Sequence, residues 1–274
     1  MLETVRTIAK PKRVIPGGSG ARTVLSLRGV SLGFPVPGGR EVKVLSHVGL
    51  EVREREFICV LGPSGCGKST LLRVLAGLLD PSEGHRVIED PALETDPLAR
   101  SMNFQSPVLL PWLTVEQNAL LPFELARRRR SDEVRARLDE LLRMVGLHGF
   151  RDALPGELSG GMQMRAALVR AFVTAPRLML MDEPFAALDE VTRNRLAMEL
   201  RKLAREAGAT VVFVTHSIQE AVFLGTRILL FSPRPARLVD TFDVDLPSAR
   251  NEATRRSTAY LDFCGRVYAE IAHG

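Results

Sequence analysis

Residues 62–69 read Gly-Pro-Ser-Gly-Cys-Gly-Lys-Ser, and Thr70 follows. Glycines at 62, 65 and 67 let the backbone bend until successive N–H groups point into one concavity, a shape that suits a phosphate chain. A glycine, four residues and then Gly-Lys-Ser is a phosphate-binding loop when a strand leads in and a helix leads out. Gly62, Pro63, Ser64, Gly65, Cys66, Gly67, Lys68, Ser69 and Thr70 are therefore the expected contacts to a nucleotide. The helix that follows adds its unpaired N–H groups and its positive dipole end. Lys68 can reach the terminal phosphates, and Ser69 can bind Mg²⁺. Cys66 lies beside that helix start and that lysine, a setting that favours a thiolate.

A phosphate cradle needs an acid to hold the metal. LMLMDE (178–183) supplies one at the end of an apolar run. Asp182 is expected to hold Mg²⁺, directly or through water, and Glu183 to orient or deprotonate the attacking water. A third element, LSGGM (158–162), again places a serine and glycines at a helix start. One phosphate loop already serves the nucleotide. The second anion-binding start has an obvious use only if it faces the nucleotide of another chain.

These groups must be carried by regular elements. EFICVLG (56–62) is a short apolar run ending in glycine, a buried-strand pattern. A helix is expected from Lys68 to Leu79, stopping near Asp80-Pro81. Residues 131–146 read as a helix capped by Ser131, with Val134, Leu138, Leu141, Leu142 and Val145 on one face. Further helices are expected over 160–174 and 192–207, and strands over 177–181, 210–215 and 227–232. Strand and helix alternate, which implies an α/β fold with a mostly parallel sheet. The middle, roughly 106–170, reads as an inserted helical subdomain.

At 274 residues with 45% apolar and 25% charged residues, the composition is that of a globular chain. No apolar run is long enough for a transmembrane helix, and residues 1–22 read as a mobile extension without a signal-peptide core. Cys59, Cys66 and Cys264 match neither a metal site nor a disulfide framework. The net charge of +5 is only an electrostatic footprint; Arg127–Arg130 is the one dense basic run, and it precedes a helix, so nucleic acid is not the favoured partner.

The ordered set GPSGCGKST, Gln105 in NFQS, LSGGM, LMLMDEPFAALD and VTHS resembles the ATP-binding cassette family over about residues 24–240. The resemblance implies a P-loop NTPase (RecA-like) core with an N-terminal antiparallel β region, residues 23–240 forming the cassette and 241–274 a C-terminal tail. It implies ATP and Mg²⁺ as ligands and a head-to-tail pair of cassettes that sandwiches two ATP molecules. Gln105 would then sense Mg²⁺ and the transport partner, and His216 would contact the γ-phosphate and serve hydrolysis with Lys68 and Glu183. Ser159, Gly160, Gly161 and Met162 would face the second chain's ATP, and Asp189 the dimer interface. Phe34 either stacks on adenine or packs as a core phenylalanine. Leu109, Leu110 and Trp112 either dock on a short cytoplasmic helix of a permease or pack the helical subdomain.

Within the family, NFQSPVLLPWLTVEQN (103–118), DEPFAALDEVTR (182–193) and THSIQEAVFLGTRILLFSPRPARLV (215–239) are similar to importers of the nitrate, sulfonate and taurine type. Ala236, the segment 85–100 and ALVRAF (167–172) depart from that pattern. The implied setting is the cytoplasmic face of the membrane, through the permease, with a solute-binding protein as an indirect partner. A soluble ATPase module acting on nucleic acid or a protein assembly is the competing reading.

Overall fold

The computed structural model describes residues 21–186 and 188–273. The expected extension at 1–22 therefore falls almost wholly outside the described residues. The chain opens on a long hairpin, β1 (Thr23–Val36) and β2 (Arg40–Arg53). Its tight end takes Gly38 and Gly39 at φ 94° and 72°, a region that glycine enters without steric cost. Strand β4 (Glu83–Ile88) pairs with the other edge of β1, giving an antiparallel sheet in the order β2-β1-β4.

The second sheet carries the chemistry. It is built from β3 (Phe57–Leu61), β5 (Arg100–Asn103), β6 (Leu178–Asp182), β7 (Thr210–Val214), β8 (Arg227–Phe231) and β9 (Leu238–Asp243). Their order is β5-β6-β7-β3-β8-β9, and every pairing is parallel except β8–β9. Strands β3, β6, β7 and β8 are buried at every residue, as a parallel sheet covered on both faces requires. The period-2 rule is visible in the packing. Ile58 and Val60 join one core, with Leu72, Val212 and Val214, while Phe57, Cys59 and Leu61 join the other, with Met179 and Phe213.

Helix α1 (Lys68–Ala76) covers the first of these cores, and a short α2 (Ala92–Thr95) adds Leu93 to it. The segment between β5 and β6 contributes α3 (Val115–Leu125), α4 (Asp132–Met144) and α5 (Gly160–Phe172) to the second, and α6 (Glu190–Glu206) and α7 (Ile218–Leu224) complete that face. Helix α1 ends three residues before the expected Leu79. Gly77 takes the left-handed conformation there, and the N–H of Leu78 closes back on Arg73 O at 2.8 Å. Helix α4 keeps its expected cap, Ser131 Oγ accepting from Val134 N, and buries Leu138, Leu141 and Leu142.

The C-terminal segment contributes to the core. Beyond β9 come α8 (Glu252–Arg255) and α9 (Thr258–His273), and Tyr260, Phe263 and Val267 of α9 are buried in the second core. Arg250 donates to Val222 O, Phe223 O and Gly225 O at 2.8–2.9 Å, satisfying carbonyls at the end of α7. Burial, with Arg201 nearby, pulls the Arg250 guanidinium down to about 9. Among the described residues no helix is long and apolar enough to cross a membrane.

Candidate functional site

The phosphate loop leaves the buried β3 and enters α1 as the spacing predicts. Gly65 and Gly67 have φ values of 71° and 127°. At Gly67 a Cβ would come within 2.8 Å of Val44 Cγ1 and 3.1 Å of Val44 O, so both the conformation and the space demand glycine. Gly67 also caps α1 without a side chain, which leaves the first N–H groups of that helix free for an anion. Lys68 is buried at 6% exposure, and its ammonium donates to Gly62 O at 2.8 Å and Pro63 O at 3.0 Å. The cation is thus held inside the loop that it serves. Arg234 clamps the outside of the loop by donating to Gly65 O at 2.8 Å. Cys66 is buried against Gly62, so its sulfur is closed to solvent.

The carboxylates meet the loop from β6. Ser69 Oγ donates to Asp182 Oδ1 at 3.0 Å. Burial pushes the Asp182 carboxyl up, and the Ser69 hydrogen bond opposes that shift. A hydroxyl and a carboxylate side by side are the hard oxygen donors that Mg²⁺ takes, with substrate phosphates filling its remaining positions. Glu183 sits in the left-handed region at φ 45°, unusual for a residue with a side chain. Its N–H is held by Val214 O at 3.1 Å. One carboxylate oxygen lies 3.9 Å from Lys68 Nζ, and the other lies 3.0 Å from His216 Nδ1. The structure therefore brings Lys68, Ser69, Asp182, Glu183 and His216 into one connected cluster. That cluster can grip a triphosphate, seat a hard cation and hold a water beside a carboxylate.

The other expected residues lie around this cluster. Ser159 caps α5 by accepting from Met162 N at 3.3 Å, and Ser159 and Gly160 are exposed. Asp189 caps α6, accepting from Thr192 N at 2.9 Å. Gln105 is exposed in the loop after β5. Phe34 is exposed near the tight end of the hairpin, opposite Val42. Trp112 is 70% exposed, Leu110 is half-buried, and Leu109 packs on the second core.

A family model described as ABC transporter matches residues 45–186. Over 222 residues the chain is 44% identical to the taurine import ATP-binding protein TauB of Rhizobium johnstonii, covering 81% of this chain and 84% of that one. The chain belongs to the ABC transporter ATPases. It is also 43% identical over 229 residues to an uncharacterised ABC transporter ATP-binding protein of Methanocaldococcus jannaschii, covering 84% of each. The dimeric structure of a bacterial ABC transporter cassette matches with a TM-score of 0.73 at 33% identity, over 81% of this chain and all of that one. A post-hydrolysis state of that cassette bound to ADP and Pi matches with a TM-score of 0.72. The activity of this ABC ATPase is hydrolysis of ATP.

Two supports of the ABC ATPase site carry no sequence pattern of their own. Asn118, fully buried on α3, accepts from Leu110 N at 2.8 Å and donates to Leu110 O, Leu113 O and Thr114 O. Arg170 on α5 donates to Pro107 O and Val108 O at 2.8 and 2.7 Å. Together they pin the loop between Gln105 and α3. The C-terminal helix is also brought to the nucleotide loop. A cavity of about 460 Å³ is lined by Pro63, Ser64 and His216 on one side and by Tyr268 and Ile271 of α9 on the other.

Proposed function

We propose that this ABC ATPase is the nucleotide-binding subunit of a membrane importer, and that two copies sandwich two ATP molecules to drive uptake of a small solute of the nitrate, sulfonate or taurine type. The observation that carries the reading is the 44% identity over four-fifths of the chain to a taurine import ATP-binding protein. The exposed Trp112, on a loop pinned from beneath by Asn118 and Arg170, supports a docking face for the permease. The exposed, glycine-rich start of α5 supports a role for Ser159–Met162 toward a second chain's ATP, with Asp189 at the same interface. The subunit then sits on the cytoplasmic side of the membrane, held by the permease, and a solute-binding protein acts at a distance through that permease.

Loop N–H groups and Lys68 bind the β- and γ-phosphates. Ser69 and Asp182 are the residues that would hold Mg²⁺, with Gln105 as a further ligand, and Phe34 is the residue that would stack on adenine. Bound Mg²⁺ neutralises charge on the phosphates. Glu183 accepts a proton from the attacking water, and His216, 3.0 Å away, fixes the carboxylate and faces the γ-phosphate. Affinity capture of the tagged chain from membranes of its source cells tests the importer reading. A polytopic membrane protein recovered with the wild type and lost in Trp112→Ala is the expected result. Recovery of only soluble complexes or nucleic acid would overturn it.

A further inference from the structure

Arg193 of α6 and Glu220 of α7 stand outside the phosphate cradle. Arg193 donates to Leu188 O at 2.7 Å and to Phe185 O at 3.4 Å. Both carbonyls belong to the turn that the chain makes directly after Glu183. The same guanidinium lies 3.6 Å from Glu220 Oε1. The other carboxylate oxygen of Glu220 accepts from the hydroxyl of Thr215, and Thr215 Oγ1 in turn accepts from Ser217 N at 3.0 Å. Thr215 and Ser217 are the two neighbours of His216. A continuous path therefore runs from the backbone that follows Glu183 to the backbone on either side of His216.

Glu220 is 7% exposed and Thr215 is 2% exposed. A carboxylate so placed persists only when charge and hydrogen bonds compensate it, and Arg193 and Thr215 are the partners that do so. Arg255 and His216 also face it. Losing Arg193 takes the ion pair from Glu220 and the guanidinium donors from Leu188 O and Phe185 O, while Thr215 still donates to Glu220. The path adds a side-chain link beyond the end of the β6–β7 ladder, whose last backbone bond is Glu183 N to Val214 O at 3.1 Å.

We propose that Arg193 and Glu220 are positioning residues for ATP hydrolysis, holding the turn after Glu183 and the turn bearing His216 in one register. This rests on the reading of Glu183 and His216 as the hydrolytic pair. The full chain would be assayed for kcat, for KM and for binding of a fluorescent ATP analogue, with melting followed in parallel. Arg193→Met is expected to lower kcat roughly 10²-fold, the scale of a misplacement of about 1 Å, with KM and nucleotide affinity within about twofold. Arg193→Lys keeps the charge but not the fork, and should restore part of the rate. Glu220→Gln keeps an acceptor for Thr215 and loses the ion pair; it carries the same expectation if the Met variant melts below the assay temperature.

In a His216→Ala background, Arg193→Met should cost less than about threefold, because residues that act through one another are not additive. Full multiplicative losses in that double variant would overturn the proposal, as would a loss confined to KM. A fully active His216→Ala would instead overturn the hydrolytic-pair reading on which the proposal rests.

Discussion

Lys68 and Glu183 are 3.9 Å apart and should fail in different ways. Lys68 is bound to two loop carbonyls and shapes the cradle itself. Lys68→Ala is expected to weaken ATP binding and turnover together, read by titration of a fluorescent nucleotide and by phosphate release. Glu183 touches Lys68 and His216 but no part of the loop backbone. Glu183→Gln is nearly isosteric, so binding should stay within about threefold while kcat falls roughly 10²–10⁴-fold, the contribution of a general base. Equal loss of binding in both variants would mean that Glu183 shapes the cradle rather than the attacking water. The left-handed backbone at Glu183 fits a group held for chemistry, because such strain persists only where neighbours such as Val214 enforce it.

At the scale of elements, the loop from Gln105 to α3 is held by Arg170 along Pro107–Val108 and by Asn118 along Leu110–Thr114. Asn118 serves one N–H and three carbonyls around Leu110–Thr114 without any exposure to solvent. Asn118→Ala takes the side-chain partner from Leu110 N and Leu113 O, while Leu110 O and Thr114 O keep the backbone donors Leu113 N and Asn118 N. A loss of about 2–3 kcal/mol is expected from urea unfolding of the isolated subunit. Trp112→Ala removes a side chain that is mostly in water already, and should change stability by less than about 0.5 kcal/mol. If the two variants melt alike, the loop is not held from beneath by Asn118, and the support for a preformed docking face is lost.

Across the whole molecule, the nucleotide loop and the exposed start of α5 are two glycine-bearing helix starts on different parts of one chain. A head-to-tail pair would use both. With hydrolysis blocked by Glu183→Gln, ATP should convert a monomer to a dimer in light scattering, and removing ATP should reverse it. Ser159→Arg added to that variant puts bulk and charge at the exposed helix start. It should keep the chain monomeric with ATP while leaving nucleotide binding by the single chain unchanged. A dimer that survives Ser159→Arg would place the contact elsewhere.

The nucleotide chemistry was legible in the sequence because it is local. A strand, a glycine loop and a helix follow one another without a break, so the spacing from Gly62 to Ser69 already determines where the N–H groups and the lysine lie. The same holds for Asp182 and Glu183 at the end of an apolar strand, and for Ser159 at a helix start. Other features arise from segments that meet only in space. Strands β4 and β5 are short and only partly apolar, EGHRVI and RSMN, and they are strands because β1 and β6 offer them an edge. The expected tail after residue 240 begins within β9 and ends in a helix whose Tyr260, Phe263 and Val267 fill a core that no local pattern announced. Asn118, Arg170, Arg193 and Glu220 are ordinary polar residues of helices in the sequence. Their partners lie on other turns and elements, so only the packing of α3, α5, α6 and α7 against the sheet decides which carbonyls and carboxylates they must satisfy. Burial then makes those contacts obligatory, because a polar group withdrawn from water must find its hydrogen bonds within the protein.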